Sequence, residues 1–284
     1  MSNIPNKQEN LDIEVVKDFG KEWNKFNFKG DHHKQELTEV FLEYFAVFPF
    51  DKINSSSEGF DMGCGSGRWA KFVSPRVAKL NCIDPSLEAL EVAKKNLKEC
   101  SNVTFMNEPV SSCTLKDESQ DFGYSLGVLH HIPNTLEGIK SCAKLLKPGA
   151  PFLLYLYYRF DDRPKWFVFL WNISDILRKA ISKLPFFIKK FVTELIALFI
   201  YFPLARLSLF LKKLNFDTHN FPLSAYQDKS FYQMRTDSLD RFGTKLEQRF
   251  TKLEIISMMQ AAGFENIHFH TWPGWICVGY KKSN

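Results

Sequence analysis

Three glycines spaced two apart, Gly63, Gly65 and Gly67, stand in the run Asp61-Met62-Gly63-Cys64-Gly65-Ser66-Gly67, at the end of a strand-like segment over 58–62. Glycine lets a backbone turn sharply and approach a ligand with no Cβ in between, and open α/β sheets bind ligands at the carboxyl ends of their strands. A dinucleotide loop, Gly-x-Gly-x-x-Gly, would need a glycine where bulky Arg68 stands, and no Gly-Lys-Ser/Thr follows to hold a triphosphate. The loop therefore suits a nucleoside without a phosphate. Two carboxylates sharpen that choice. Asp84 ends the next strand-like run, 17 residues after Gly67, where it can accept both hydroxyls of a ribose, and Pro85 terminates the strand behind it. Asp61 beside the loop favours a cation and repels a pyrophosphate. A ribose diol joined to a positively charged amino-acid tail satisfies both acids.

The elements that must position these residues follow from hydrophobic periodicity. Strand-like runs at 58–62, 78–83, 103–106, 122–128 and 152–157 alternate with helical patterns at 68–73, 87–97 and 136–146. That order predicts βαβ crossovers and a parallel sheet buried on both faces. Ahead of it, Phe19, Trp23 and Phe26 recur at helical spacing, and Leu37, Val40, Phe41, Tyr44, Phe45 and Phe48 share one helix face. Alternation stops at Tyr158 and resumes at Thr251-x-x-Glu254, a capping box that opens a helix before strands at 264–270 and 275–280. The chain thus reads as an N-terminal helical lead (1–57), an α/β part (58–158), a helical aromatic insertion (159–250) and a return to the sheet (251–284).

Composition narrows the class. Lys and Arg exceed Asp and Glu by 37 to 32, with no basic stripe, so nucleic acid is not an expected partner. Cys64, Cys82, Cys100, Cys113, Cys142 and Cys277 are scattered singly, and His219, His268 and His270 do not combine, so no metal site is expected. Cys64 has only Arg68 nearby to activate it and reads as a buried thiol. The polar residues 1–10 carry no apolar secretory core, which predicts a cytoplasmic protein. The most apolar run, 195–205, spans 11 residues and contains Pro203, short of the ~20 a membrane span needs.

Four motifs in order, Asp61-x-Gly63-x-Gly65-x-Gly67, Asp84, Ser125-Leu126-Gly127-Val128-Leu129-His130-His131-Ile132 and Leu145-Leu146-Lys147-Pro148-Gly149, resemble those of class I S-adenosylmethionine-dependent methyltransferases. The resemblance covers residues 59–157 and 251–281. It implies a seven-stranded, mostly parallel, doubly wound sheet whose last strand is antiparallel; the large helical insertion, read from the alternation, then falls after the fifth strand. It further implies S-adenosylmethionine as methyl donor and S-adenosylhomocysteine as product. Gly63, Cys64, Gly65 and Gly67 would wrap the methionine part, with Asp61 beside them. Asp84 and Pro85 would sit at the ribose, and the Gly127 segment under the methyl group. Many family members carry an Asp after the third strand to bind the adenine amine; this chain reads Asn107-Glu108-Pro109-Val110-Ser111, which leaves backbone groups of Val110 with Ser111 or Ser112. The segment around Phe19 and Gly20 is similar to N-terminal helices that close over the donor.

A sulfonium methyl is already activated, so transfer needs chiefly an in-line nucleophile in a dry site, and a general base where a hydroxyl or ammonium must lose its proton. His130 and His131 are the candidate catalytic residues; the same pair could instead cap the next helix. The insertion should choose the acceptor. Its aromatic residues, Trp166, Phe167, Phe169 and Trp171 among them, can wall a pocket or form a helical core, and the stretch after Lys189-Lys190 can lie on a membrane surface or form a homodimer interface. Arg235-x-Asp237-x-x-Asp240-Arg241 with Arg249 can hold an anionic or hydroxylated acceptor or form a salt-bridge network. The expected activity is methylation of an oxygen or nitrogen on a small or amphipathic molecule, sugar-like, lipid-linked, quinone-like or polyketide-like. The alternative is a non-catalytic nucleoside-binding module using its apolar insertion as a platform. A dinucleotide oxidoreductase is the third reading, opposed by Arg68.

Overall fold

A computed structural model describes residues 10–25, 31–161, 163–270 and 275–283. The chain forms two compact units, one of Met1–Arg159 with Leu246–Asn284, the other Phe160–Lys245. The short apolar runs become strands β1 (Glu58–Met62), β2 (Lys79–Ile83), β3 (Val103–Met106), β4 (Phe122–Leu126), β5 (Pro151–Leu156), β6 (Phe264–Phe269) and β7 (Trp275–Lys281). They lie side by side in the order β3-β2-β1-β4-β5-β7-β6. Strands β1 to β5 pair in parallel, while β7 runs antiparallel to both of its neighbours. This is the seven-stranded, mostly parallel sheet expected from the sequence.

Helices α1 (Ile13–Lys25), α2 (Asp31–Tyr44), α3 (Ala70–Val73), α4 (Leu87–Asn96), α5 (Thr135–Leu145) and α10 (Lys252–Ala261) flank the sheet unit. Helices α4, α5 and α10 start on side-chain caps: Ser86 accepts from the Ala89 N–H, Asn134 from the Glu137 N–H, and Thr251 with Glu254 forms the reciprocal box. Phe41, Phe45 and Phe48 are buried on one face of the sheet, and Ile139, Cys142 and Phe152 on the other. The centre of the sheet pairs large with small. Gly59 lies opposite Phe122 and Phe60 opposite Gly123, and a Cβ on either glycine would overlap the facing ring. Each fully buried Phe contributes roughly 1.5–3 kcal/mol, so this alternation packs the two central strands at little conformational expense. Phe19 of α1 is half-buried; Phe26 and the Trp23 side chain lie outside the described residues.

Residues 246–250, placed in the insertion from sequence, hydrogen bond to the sheet unit: the Gln248 N–H donates to the His130 carbonyl and the Phe250 N–H to that of Tyr157. The second unit holds α6 (Lys165–Ile181), α7 (Phe186–Ile196), a π-helical turn (Ala197–Tyr201), α8 (Phe202–Lys213) and α9 (Phe231–Gly243). Here one expectation fails. Pro203 does not interrupt the apolar run, because it falls in the first turn of α8, behind a wider π turn. A proline there removes no hydrogen bond the helix needs. The outcome is an unbroken helix, Phe186–Lys213, of 28 residues, long and apolar enough by length and composition to cross a membrane.

Candidate functional site

The loop after β1 is pinned to the end of β2. The N–H groups of Gly63 and Cys64 both donate to the Ile83 carbonyl, at 2.8 and 3.0 Å. Gly63 has φ +80°, and a Cβ there would overlap the Val128 side chain, so no other residue fits this turn. The Gly65 N–H donates to Asp84 Oδ2 at 2.9 Å, and the Ser86 N–H donates to Oδ1 at 2.8 Å. One carboxylate thereby joins the glycine loop to the start of α4, with Pro85 between its anchors. Asn107 extends the tie by donating to the Asp84 carbonyl at 3.0 Å. Gly65 and Asp84, 19 residues apart in sequence, are in direct contact.

Both carboxyls are buried, and their electrostatics follow from that. Burial pushes Asp61 up to about 8; the charge of Asp84 adds to the shift, while the Tyr124 hydroxyl and Arg68 oppose it. Asp84 is pushed up to about 6, again by burial, with the two backbone N–H donors partly offsetting it. Asp61 Oδ2 is buried without a hydrogen-bond partner. Two desolvated acids with an unsatisfied oxygen favour a ligand that brings cationic charge and hydroxyl donors. The ammonium and ribose diol of S-adenosylmethionine meet that requirement, so the residues present fit the group. Cys64 is held well above its ordinary range by the neighbouring Cys82 and by burial. It therefore stays a thiol and can only pack.

After β3, the Glu108 carboxylate is committed to the Thr114 N–H and hydroxyl, so it does not stand in for the Asp of the family pattern. The turn Val110–Ser112 places Val110 in the core, with Ser111 exposed beside it.

The β4 end supplies the other half. Ser125 Oγ donates to the Met62 carbonyl, locking β4 to the end of β1, and the Gly127 N–H donates to the Tyr155 carbonyl. At φ +78°, Gly127 leaves open space: the nearest atom to an added Cβ is Tyr155 Cδ1, at 3.9 Å. His130 and His131 follow on the turn Leu129–His131, both buried. The His130 ring centroid lies 3.8 Å from that of Tyr157, the planes tilted by 31°, and neither of its nitrogens has a hydrogen-bond partner. Burial, then the neighbouring His131 and Arg249, hold it well below the usual histidine range, so it is a neutral acceptor. His131 Nδ1 hydrogen bonds the Leu246 carbonyl at 2.7 Å, while Nε2 has no partner.

Sequence reasoning missed the support around this pair. Arg249 lies 5.0 Å over the Tyr157 ring and donates to Glu247 Oε1 at 2.8 Å and to the Tyr158 carbonyl. Glu247 is a local partner, but about 90 residues separate Arg249 from Tyr157 and Tyr158, so no local pattern could announce those two contacts. The polar segment 235–249 does not act as one cluster either. Arg249 belongs to the sheet unit, whereas in the second unit Arg235 pairs with Glu194 at 2.7 Å and Arg241 bonds Ser174.

Helix α1 packs beside these loops. At one end Asn10 exchanges two hydrogen bonds with the Asn134 backbone, at 2.9 and 2.7 Å. Midway Phe19 packs 5.0 Å from His131. Gly20 then comes so close to the α4 cap that an added Cβ would stand 2.6 Å from Ser86 Oγ. The helix therefore passes from the α5 cap to the α4 cap, beside both the histidines and the Asp84 turn.

The sheet order, the glycine loop tied to an acid on β2 and the antiparallel β7 define a nucleoside-binding α/β domain of the class I methyltransferase type. Residues 60–154 match the model of a family described as the methyltransferase domain, and this segment is a class I S-adenosylmethionine-dependent methyltransferase domain. The chain is 32% identical over 125 residues to a ubiquinone biosynthesis O-methyltransferase of Alkalilimnicola ehrlichii, covering 43% of this chain and 49% of that protein. A ubiquinone biosynthesis O-methyltransferase of Escherichia coli is 28% identical over 134 residues, 46% and 55% of the two chains. The chain spans about half the length of the curated relatives it matches. Among solved structures, a SAM-dependent methyltransferase from Thermotoga maritima superposes with TM-score 0.51 at 16% identity, over 94% of this chain and all of that one. One from Methanosarcina mazei gives 0.50 at 18%, over 84% and 99%. At these identities the superpositions establish the fold.

Proposed function

We propose that this protein transfers the methyl group of S-adenosylmethionine to an oxygen of a small, amphipathic, quinone-like acceptor. The carrying observation is the Gly65–Asp84 contact beside the unsatisfied Asp61: two buried acids and an open backbone arranged for a ribose diol and an ammonium. When bound, the donor supplies an activated methyl on a sulfonium. Asp84 holds the diol and, through Gly65, the loop around the amino-acid tail; Asp61 answers the tail's positive charge. The bare Cα of Gly127 leaves room beside β4 for the reacting groups. His130 and His131 form the base site, where a neutral imidazole nitrogen can take the proton a hydroxyl releases as its oxygen is methylated. Oxygen is favoured over nitrogen by that base and by the curated relatives, which are O-methyltransferases. Val110 and Ser111 are assigned to the adenine edge.

The test is turnover with radiolabelled donor and a set of catechol and hydroxyquinol acceptors, beside a thermal-shift titration with S-adenosylhomocysteine. Label in the quinol fraction with product-induced stabilisation supports the reading. Stabilisation without transfer to any acceptor moves the protein to the non-catalytic binding class, and neither result at millimolar ligand removes the donor assignment.

A further inference from the structure

The second unit is built with its polarity reversed. Along Phe186–Lys213 the buried positions are Lys189, Thr193, Ala197, Tyr201, Ala205 and Ser208, spaced three or four apart on the side that packs on α9 and on residues 224–227. Their polar groups are satisfied inside: Lys189 Nζ donates to the Gly243 carbonyl at 3.0 Å, and Ser238 Oγ to that of Thr193 at 2.9 Å. On α6 the buried residue is Arg178, bonded to Asp175 and to the Thr244 carbonyl. The outward faces are the apolar ones. Phe187, Phe191 and Phe199 are 77, 60 and 70% exposed. Of the 22 large hydrophobic side chains exposed among the described residues, 18 lie between residues 166 and 216. A water-facing helix shows the opposite pattern, and a soluble monomer rarely exposes an apolar patch beyond a few hundred Å².

We infer that this unit docks its α6 and α7–α8 faces into the surface of an anionic lipid bilayer. Charge points to lipid rather than to a second copy. Residues 160–245 hold 14 Lys and Arg against 8 Asp and Glu, a net of +6, whereas the whole chain carries +5. The cations bracket the apolar face: Lys179 and Lys183 precede it, and Lys212 and Lys213 close it. Long lysine stems let the apolar face sink while the ammonium groups meet lipid phosphates. A self-complementary dimer through the same face would bring like-charged ends together. The helix lies along the surface rather than across the bilayer, because its inner face is packed on α9, whose Arg235, Asp237, Asp240 and Arg241 would otherwise enter hydrocarbon. This inference does not rest on the methyl-transfer reading.

The experiment is sedimentation of the full chain with phosphatidylcholine vesicles and with vesicles that also contain phosphatidylglycerol, with light scattering for oligomeric state. The protein is expected to pellet with the anionic vesicles and far less with the neutral ones. Combined Phe187→Ser, Phe191→Ser and Phe199→Ser should lower partition by at least roughly tenfold for each Phe withdrawn from lipid. Combined Lys183→Glu, Lys212→Glu and Lys213→Glu should remove the preference for phosphatidylglycerol, at roughly fivefold per lysine. S-adenosylhomocysteine stabilisation, unchanged in both variants, shows that they fold, and its absence from wild type would overturn the donor assignment alone. Full-length protein left in the supernatant of anionic vesicles overturns the docking inference. So does a dimer that the Phe variant converts to monomer with vesicle partition unaffected.

Discussion

Donor binding should release protons, and the structure sets how many. At pH 7, Asp61 at about 8 is about 90% protonated and Asp84 at about 6 about 10% protonated. A ligand whose ammonium and ribose hydroxyls require both carboxylates ionised must therefore displace about one proton from the pair, which titrates as a unit. At pH 6 the figure rises to about 1.5; at pH 9 it falls to about a tenth. Keeping Asp61 ionised at pH 7 costs about 1.4 kcal/mol, so affinity should drop roughly tenfold per unit as pH falls from 8 to 6. Isothermal titration with S-adenosylhomocysteine in phosphate and in Tris reads the proton directly from the difference in enthalpy. Asp61→Asn should remove most of it. Without ligand, the acids affect stability oppositely. Both bind protons more tightly folded than at the ordinary value of 3.8, so their contribution is complete below about pH 4 and is lost as pH rises through 6 and 8. Identical enthalpies in the two buffers at pH 7 would refute the claim that two buried carboxyls form the cation and diol site.

Asp84→Ala removes the acceptor of the Gly65 and Ser86 N–H groups, and should weaken S-adenosylhomocysteine binding by roughly a hundredfold or more while destabilising the apo protein by about 2–4 kcal/mol, read by titration and by urea unfolding. Gly20→Val drives a side chain into Ser86 and Glu88, lifting α1 from the α4 cap; donor dissociation should accelerate in stopped flow with the unfolding midpoint nearly unchanged. His130→Ala should lower turnover about 10²–10⁴-fold at unchanged donor affinity, and exogenous imidazole should recover part of it if the ring serves as base.

The sheet and the contact between the glycine loop and Asp84 were legible because their signals are local. A strand, a glycine turn and a capping acid each fit within a few residues, and parallel strand order follows from alternation; Asp61, Gly63, Gly65 and Asp84 could be named from spacing. The Gly59–Phe122 and Phe60–Gly123 pairs could not, since register between strands 60 residues apart is fixed only when both faces pack. Nor could the contacts of Arg249 with Tyr157 and Tyr158, which depend on where the chain re-enters the sheet unit after a long insertion. The break expected at Pro203 misread a helix because a π turn ahead of a proline leaves no trace in composition.

Phenylalanine shows why the second unit needs an explanation of its own. A genome that favours Phe codons would raise its count everywhere, without regard to which way a side chain faces. In the sheet unit, Phe60, Phe122, Phe152 and Phe264 are fully buried, and among the described residues the large hydrophobics exposed there, Ile13, Leu42, Leu87 and Leu253, include no Phe. Between residues 166 and 216, Phe169, Phe187, Phe191, Phe199, Phe210 and Phe216 all exceed 50% exposure, while Lys189 and Arg178 are buried. A codon bias cannot sort one residue type inward in one unit and outward in the other. Water cannot favour the second arrangement either, because it exposes aromatic rings and desolvates two cations. Lipid reverses the first of these terms, and the Gly243 and Thr244 carbonyls at the end of α9 satisfy the second.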